Sequence, residues 1–415
     1  MNIRLRRAVQ IPALVLCLMI CGTQSGFASG FGIFTQGADA LGQANAVTAH
    51  ADGPSAVFFN PALLTELPGT QVEIGTTAVL PSRDFKSISG DTSDNADTAY
   101  FPSTFYLTHQ FNNCFSAGLG VNNPFGLGTV WESDWPGRFI ATKSRITTFN
   151  INPSVACRIS PHISLGAGLD ILLLDAKLKN KIDGGPFGEI GQEFAGDGEG
   201  VGFNVGLLVN LTEALSFGAG YRSEIKVDID GRAKFDIPGS AEPLASLFPN
   251  TGGQTSITLP QQVTAGLAYR ISPAWVVEAG LRWEGWSSFQ QLKITLDEEV
   301  GGETTSVAPR NWHDTWAYNI GTKYRLNDQL AVMAGYLYGQ NPIPDSTFEP
   351  AIPDSDTHLF TAGAEVAFDN LKLALAYGFQ LQEDRDKTTN LYGSIADGKY
   401  ENYLHLVGVS LTCVF

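Results

Sequence analysis

The chain has 415 residues, with 26 Lys and Arg against 42 Asp and Glu, and a formal net charge of −16. This acidic balance argues against a nucleic-acid partner, whose phosphates would repel the protein. With 45 glycines and only 16 % charged residues, the composition disfavours disorder and favours tightly packed β structure.

The amino terminus has the three parts of a secretory signal. Arginines at positions 4, 6 and 7 precede an uncharged stretch over residues 11–20, and small residues surround Ala28. We therefore predict a signal peptide over residues 1–28. Nothing after this stretch resembles a transmembrane helix, so the sequence predicts an exported protein that is not a helical membrane protein.

Cysteine usage indicates neither a metal site nor a disulfide framework. Two of the five cysteines lie within the predicted signal peptide, which leaves Cys114, Cys157 and Cys413. These three are sparse, odd in number and without Cys-x-x-Cys or Cys/His spacing. We predict no metal and no cofactor.

The stretch SAVFFNPALL, residues 55–64, is apolar but does not alternate, and it is too short to span a bilayer as a helix. Asn60 is a favoured N-cap and Pro61 suits the first helical position, so a short helical turn should follow. Lipid would leave the backbone groups of such a segment unpaired. We predict that residues 29–68 form a plug in the lumen of a barrel; a periplasmic tail is the alternative. The predicted plug motif comprises Phe58, Phe59, Asn60, Pro61, Ala62 and Leu63.

From residue 70 onward the dominant period is two, as in LKLALAYGFQLQ at residues 371–382. About fourteen such segments can be counted, an even number typical of outer-membrane barrels. Short turns alternate with long polar loops near 82–99, 126–143, 183–199, 236–254, 297–310, 340–356 and 383–399. The last strand ends in the aromatic residue Phe415. The sequence therefore predicts an all-β fold, a transmembrane antiparallel barrel over residues 69–415 with both termini in the periplasm.

The third predicted strand is interrupted. Proline cannot donate to a ladder and glycine tolerates a bulge, so VNNPFGLGT indicates a break in the wall. The alternative is that the strand simply ends at Asn122. The residues of this predicted opening are Asn123, Pro124, Phe125, Gly126 and Gly128.

Several motifs resemble the FadL family of outer-membrane transporters for long-chain fatty acids and hydrocarbons. The stretch GADALGQANAVTAHADGPSAVFFNPALL resembles the family's amino-terminal hatch, and NNPFGLGTVWESDWPGRF and NWHDTWAYNIGTKYRLND match further along. The resemblance covers essentially all of the mature chain. It implies a monomeric barrel of fourteen strands, plugged by its hatch, that releases hydrophobic molecules sideways through an opening beside a kinked third strand.

Two further sets of residues are candidates for ligand contact. Apolar residues within the long loops could form an outer capture groove, or could pack the loops together: Trp131, Trp135, Phe139, Leu244, Leu247 and Phe248.

A fatty acid would need a cation near its carboxylate. An apparent switch of the apolar face between Leu169 and Leu174 predicts a bulge that turns Lys177, Lys179 and Lys181 inward, and Arg310 is another candidate. Ordinary ionic wall or loop charges are the alternative. The family's basic residues do not map cleanly, since Asn180 stands where one is expected.

We predict transport of a hydrophobic small molecule, a fatty acid or hydrocarbon for which a detergent can substitute in a crystal. The surrounding partners are outer-membrane lipid and lipopolysaccharide of a Gram-negative bacterium. A porin for polar solutes is the first alternative and a lipase the second. The sequence has no nucleophile-elbow, His-Glu-x-x-His or P-loop motif, so an enzyme is not predicted.

Overall fold

The computed structural model describes residues 30–33, 35–95 and 99–415. The predicted signal peptide, residues 1–28, lies outside the described residues. Most of the described chain is antiparallel β-sheet. Its strands are β1 (Thr70–Ser87), β2 (Thr92–Asp94), β3 (Ser103–Gln110), β4 (Phe115–Asn122), β5 (Gly126–Val130), β6 (Lys143–Ser160), β7 (Ile163–Asp183), β8 (Glu189–Asn210), β9 (Leu215–Arg222), β10 (Ile225–Asp236), β11 (Thr251–Leu259), β12 (Gln262–Ser272), β13 (Trp275–Glu284), β14 (Gln291–Val300), β15 (Glu303–Pro309), β16 (Thr315–Arg325), β17 (Leu330–Gly339), β18 (Thr357–Phe368), β19 (Leu371–Gln382), β20 (Arg385–Lys387) and β21 (Gly398–Val414).

The sheet closes on itself, because β1 pairs with β3 on one side and with β21 on the other. Five wall strands are interrupted and carry two labels each: β4/β5, β9/β10, β11/β12, β13/β14 and β15/β16. The short β2 and β20 pair only with the ends of β1 and β21. The predicted antiparallel barrel of fourteen strands is therefore confirmed.

The wall strands carry apolar side chains outside and small or polar side chains inside. On β19, Leu375 and Tyr377 are 52 % and 46 % exposed, whereas Ala374 and Ala376 between and beside them are buried. A continuous outer belt of this kind matches the apolar band of a barrel that lies in lipid. None of the helices in the described ranges is long and apolar enough to span a bilayer.

Several of the predicted long loops are partly strand, including 82–99, because β1 continues to Ser87. The β7–β8 ladder continues to Asp183 opposite Glu189, and β14 and β15 pair up to Val300 opposite Glu303. These stretches lose the apolar alternation because their outer faces extend beyond the apolar belt, although β8 still buries Ile190 and Phe194. Backbone hydrogen bonding does not require that alternation, so the strands continue past the point where the sequence pattern ends.

Residues 30–68, here called the amino-terminal segment, contain helices α1 (Ala38–Gly42) and α2 (Ala56–Phe59) and a 3₁₀ helix over Pro61–Glu66. As predicted, Asn60 caps the last of these: its side chain accepts a hydrogen bond from the Ala62 amide at 3.1 Å. The fully buried Asn60 also donates to the carbonyl of Leu207 on β8 at 3.0 Å. The N-cap thus joins the segment to the wall. Further 3₁₀ helices are Gly185–Phe187, Gly239–Leu247, Trp286–Ser288 and Asp345–Thr347.

The barrel encloses this segment, and glycines of the wall allow its backbone to lie close. A Cβ atom at Gly166 on β7 would lie 2.4 Å from the carbonyl carbon of Pro61, and one at Gly218 on β9 would lie 2.0 Å from the carbonyl oxygen of Thr48. At Gly321 on β16 the distance to the Gln43 carbonyl oxygen would be 2.2 Å. Because these strands belong to different parts of the wall, the segment lies inside the barrel.

We expect Gly321→Leu to displace the amino-terminal segment, because the new side chain would overlap backbone that has no free space to move into. Steady ion current through planar bilayers should rise about tenfold or more, as the interior of a barrel without a plug fills with water. The matched control is Gly239→Leu, since none of the described residues has a heavy atom within 4 Å of a Cβ at that position. Equal currents in the two variants would contradict the expectation.

Candidate functional site

The wall is interrupted between β4 and β5. Asn122 lies opposite Asn150 of β6, but Gly126 lies opposite Thr147. Three residues on one strand therefore face two on the other, which is a bulge that bends the strand away from its neighbour. The interruption covers Asn123, Pro124 and Phe125, whereas Gly126 and Gly128, which we also assigned to the predicted opening, pair with Thr147 and Arg145 of β6.

Side chains replace the lost ladder at this break. The Asn123 side chain accepts a hydrogen bond from the Ser103 amide at 3.0 Å and donates one to the Thr148 carbonyl. The hydroxyl of Thr148 accepts from the Phe125 amide at 3.2 Å. The bend is thus held by specific polar contacts, because unpaired buried backbone groups would be costly.

The amino-terminal segment pairs with the bent strand. The Gly126 amide donates to the Phe31 carbonyl and the Ile33 amide donates to the Pro124 carbonyl, each at 2.9 Å. The Gln36 side chain donates to the Asn123 carbonyl at 2.8 Å. The first described residues of the segment therefore lie directly against the break.

A cavity of about 1550 Å³, a volume that includes solvent at its open side, lies at this junction. Its lining comes from both faces of the wall, with the buried Thr148 and Leu406 inside and the exposed Arg145 and Phe149 outside. The cavity therefore reaches through the wall at the break. Its apolar lining includes Phe31, Ile33, Val79, Phe125, Leu127, Ile146, Ile352 and Leu404.

Beside the cavity is a group of buried aromatic rings. Phe31 lies 4.7 Å from Trp286 and 5.7 Å from Trp312, measured between ring centroids. Phe289 lies 5.0 Å from Trp312, and Phe125 lies 6.1 Å from Trp286. The rings provide a large apolar surface beside the cavity. The indole Nε1 atoms of Trp286 and Trp312 are buried without a hydrogen-bond partner among the described residues.

The cavity lining contains two cations that the sequence analysis missed, the exposed Arg145 on β6 and the partly buried Arg83 on β1. Arg83 is the one on the inner face. Its Nη1 donates to the Gly128 carbonyl at 2.6 Å, while its Nε is buried without a hydrogen-bond partner among the described residues. Continuing the two-residue period of β1 past Val79 and Pro81 would have placed Arg83 on the inner face. It was missed because residues 82–99 were interpreted as a loop.

Asp354, in the loop before β18, joins the same cavity to the amino-terminal segment. Its carboxylate accepts from the Gly30 amide at 2.9 Å and from the Gln382 side chain at 2.8 Å. Burial raises the pKa of Asp354 to about 7, although Arg385 and Arg83 oppose the shift. At neutral pH the carboxyl group is therefore close to half protonated.

The predicted inward orientation of Lys177, Lys179 and Lys181 is wrong. The β7–β8 register runs without a shift from Ile163 to Asp183, so there is no bulge. Leu172 and Leu174 are the buried, inward residues, and the three lysines lie on the opposite, outer face. The prediction was wrong because it assumed that apolar side chains face outward. The interior of the barrel is itself apolar around Leu172 and Leu174. Lys177 and Lys179 instead form ion pairs with Glu193, at 3.2 and 2.6 Å.

Arg310 is buried, but its charge is already paired. It forms an ion pair with Glu349, and its Nη1 donates to the Tyr392 hydroxyl at 2.9 Å. Its guanidinium also lies 5.9 Å from the centroid of the Phe289 ring. These contacts join the interruption between β15 and β16 to the loop before β18 and the loop before β21.

The predicted capture residues fall into two groups. Trp131 and Trp135 are 3 % and 2 % exposed and stack at 4.4 Å, within a cluster that includes Phe85 and Tyr400. For these two tryptophans the structure favours the alternative that they pack the loops together. The remaining residues are at least partly exposed: Phe139, Leu244, Leu247 and Phe248.

The predicted plug motif lies deeper in the lumen. Phe58 and Phe59 are half-buried and border a second, small cavity of about 60 Å³, and Ala62 and Leu63 are fully buried. The Arg222 guanidinium lies 4.8 Å from the centroid of the Phe58 ring.

A closed barrel with an apolar outer belt, an enclosed segment and a greasy cavity at a break in the wall defines an outer-membrane protein for hydrophobic molecules. The chain matches the model of the outer membrane protein transport protein family (OMPP1/FadL/TodX) over residues 19–415, and it belongs to that family. This confirms the resemblance seen in the sequence, and it locates the protein to the outer membrane of a Gram-negative bacterium.

Individual relatives agree in length and fold. The long-chain fatty acid transport protein of Salmonella typhi is 26 % identical over 392 residues, covering 86 % of this chain and 88 % of the relative. The structure of a Pseudomonas aeruginosa FadL homologue superimposes with a TM-score of 0.83 at 21 % identity, covering 93 % of this chain and 100 % of that one. The Pseudomonas putida toluene transporter TodX has a TM-score of 0.71 at 19 % identity, with coverages of 93 % and 99 %.

Proposed function

We propose that the protein takes up long-chain fatty acids or related hydrocarbons by binding them in the cavity beside the strand break and releasing them sideways through the wall. The observation that carries this proposal is the cavity lining, which combines inner and outer faces of the barrel where β4 and β5 separate. A ligand in this cavity has a continuous path from the lumen to the membrane.

The physical problem is that the polar lipopolysaccharide layer blocks greasy solutes and a water-filled pore gives them no favourable path. Burial of each methylene group contributes about 0.8 kcal/mol, so an apolar cavity can hold a long chain without a chemical step. Sideways release into the apolar belt avoids transfer of that chain into water. The proposed role is therefore binding and diffusion, without catalysis.

We propose Arg83 as the partner of a fatty acid carboxylate. Its buried Nε has an unused donor within the cavity lining, and charge-assisted hydrogen bonds are the strong ones. Lys177, Lys179 and Lys181 on the outer face, and Arg310 with its charge paired, are less suited to this role. A neutral hydrocarbon would not need Arg83.

The domain division follows from this function. Residues 1–28 would be the signal peptide, residues 29–68 a hatch that keeps water and ions out, and residues 69–415 the barrel. The partly exposed residues Phe139, Leu244, Leu247 and Phe248 are suited to first contact with a ligand outside the cell. We propose that a single barrel, surrounded by outer-membrane lipid and lipopolysaccharide, is the working unit.

Uptake by cells that lack their own transporter tests the proposal. We expect the wild-type protein to accelerate uptake of a labelled long-chain fatty acid or of toluene, with little steady ion current in planar bilayers. Large steady current without such uptake would overturn the proposal in favour of a porin.

Arg83→Met separates the two ligand classes. Fatty acid uptake should fall about tenfold, because a charge-assisted hydrogen bond contributes about 1.5–3 kcal/mol, while toluene uptake stays near the wild-type rate. An equal decrease in the uptake of both ligands would show that Arg83 does not bind a carboxylate. Its role would then be to hold the bent strand through its hydrogen bond to the Gly128 carbonyl.

A further inference from the structure

Two of the three cysteines in the described ranges lie side by side on neighbouring wall strands. Cys114 ends the turn between β3 and β4, and Cys157 lies on β6. In the β4–β6 ladder Phe115 is directly opposite Cys157, and the Arg158 amide donates to the Cys114 carbonyl at 2.8 Å. In this structure both residues are free thiols, and their side chains lie close enough to interact.

We propose that Cys114 and Cys157 form a disulfide bond in the mature protein. Cys114 is opposite Arg158, so it lies diagonally across from Cys157, one residue along the ladder. With strands about 4.8 Å apart and a rise of about 3.4 Å per residue, the Cα atoms of such a diagonal pair are roughly 6 Å apart, and disulfides span about 4.4–6.8 Å between Cα atoms. Neighbouring strands thus bring the two residues within reach without movement of the backbone.

The location favours oxidation. Both cysteines lie at the short-turn end of the barrel, which is the periplasmic end in outer-membrane barrels. Disulfides form and persist in the bacterial periplasm. Both residues are partly exposed, so an oxidant can reach them.

The reaction needs a two-electron acceptor, and a protein disulfide of a periplasmic thiol oxidase supplies it. The Cys114 thiol loses its proton and its sulfur attacks one sulfur of the acceptor, which breaks the acceptor disulfide and forms a mixed disulfide. The Cys157 thiol then loses its proton and its sulfur attacks Cys114 Sγ. This forms the Cys114–Cys157 bond and releases the acceptor as a dithiol, so the two protons and two electrons are accounted for.

The bond would clamp the wall below the strand break. The chain between Cys114 and Cys157 contains all of β5 and the interruption at residues 123–125, where β4 leaves its regular ladder with β6. Below that interruption β4 pairs with β6 only over Phe115–Asn122. A covalent link at the lower end of this short ladder prevents separation at the break from spreading to the periplasmic end.

Cys413 is the internal control. It lies on β21, opposite Leu371 and Val72, and accepts a hydrogen bond from the Asn370 side chain at 3.5 Å. It is on different strands from the other two cysteines and is expected to remain a thiol.

The test counts thiols in the mature protein, purified from outer membranes under conditions that block thiol exchange. The denatured protein is treated with a maleimide–polyethylene glycol reagent before and after reduction. We expect one labelled thiol before reduction and three after it, none and two for Cys413→Ser, and two before reduction for Cys114→Ser. Peptide mapping should recover the Cys114 and Cys157 peptides linked to each other.

Three labelled thiols in the unreduced wild-type protein would overturn the proposal, and so would a bond between two chains. Protein made in cells without the periplasmic thiol oxidase should show three thiols before reduction. This result would show that the acceptor we name supplies the oxidation, whereas an unchanged count of one would overturn that assignment.

Discussion

Replacing Arg222 with methionine is expected to destabilise the folded barrel by about 3–5 kcal/mol, because it leaves a buried carboxylate without its counter-charge. Arg222 forms an ion pair with Asp170, and the two side chains are 8 % and 0 % exposed. Asp170 also accepts hydrogen bonds from Asn150 at 2.7 Å and Asn204 at 2.9 Å. These amides remain in the variant but cannot neutralise the charge. The free energy of unfolding is measured by urea titration in lipid vesicles.

The matched control is Lys226→Met on the outer face. Lys226 forms an ion pair with Asp228 at 2.7 Å, but the side chains are 62 % and 72 % exposed. An exposed pair of this kind contributes about 0–1 kcal/mol. The double variant Arg222→Met with Asp170→Asn should recover much of the lost stability, because the unpaired charge is removed. Equal effects of the two single variants would contradict the expectation.

Arg222 also connects the wall to the amino-terminal segment, since its Nη2 donates to the Phe58 carbonyl at 3.1 Å. Loss of Arg222 should therefore also loosen the segment. Limited proteolysis of the variant in native membranes should show faster cleavage near Phe58 than in Lys226→Met.

Filling the cavity at the strand break is expected to have the largest effect on uptake. A Cβ at Gly126 would point at Ile33, 2.7 Å from its Cδ1, and one at Gly128 would meet the Tyr100 ring at 2.1 Å. Ile33 and Tyr100 both line the cavity. We expect Gly126→Trp to reduce uptake of a labelled fatty acid and of toluene about tenfold or more, corresponding to about 1.4 kcal/mol or more of added barrier.

The control for this variant is Gly239→Trp, which places the same side chain in an exposed loop. Both proteins should assemble normally, as shown by equal amounts of heat-modifiable barrel on gels. Normal uptake by correctly assembled Gly126→Trp and Gly128→Trp proteins would overturn the sideways route through the wall.

The fold could be predicted from the sequence to a large extent because a barrel wall depends on local rules. A period of two fixes the face of each side chain, and tight turns fix the order of the strands. The cap at Asn60 and the break at Asn123 and Pro124 are likewise local, since a proline and an N-cap act within a few residues. These features could be read without knowing the neighbouring strands.

The site could be predicted only in part, because it depends on what the interior holds. Leu172 and Leu174 face inward against an apolar interior. The usual rule that apolar side chains of a barrel wall face outward therefore predicted the wrong orientation for Lys177. Arg83 was missed because the strand that carries it extends beyond the apolar belt. The contacts of Trp131 and Trp135 with Phe85 and Tyr400 join distant parts of the chain, and no local pattern indicates them.

The close approach of the amino-terminal segment to Gly166, Gly218 and Gly321 has a consequence for biogenesis. Strands β7, β9 and β16 meet the segment's backbone through their own Cα atoms, so folded helices and a capped turn entering the finished cylinder would have to pass these close contacts. We therefore expect β1 to close on β21 around a segment that is already in place. In that order of assembly the amino-terminal segment acts as a template for the wall.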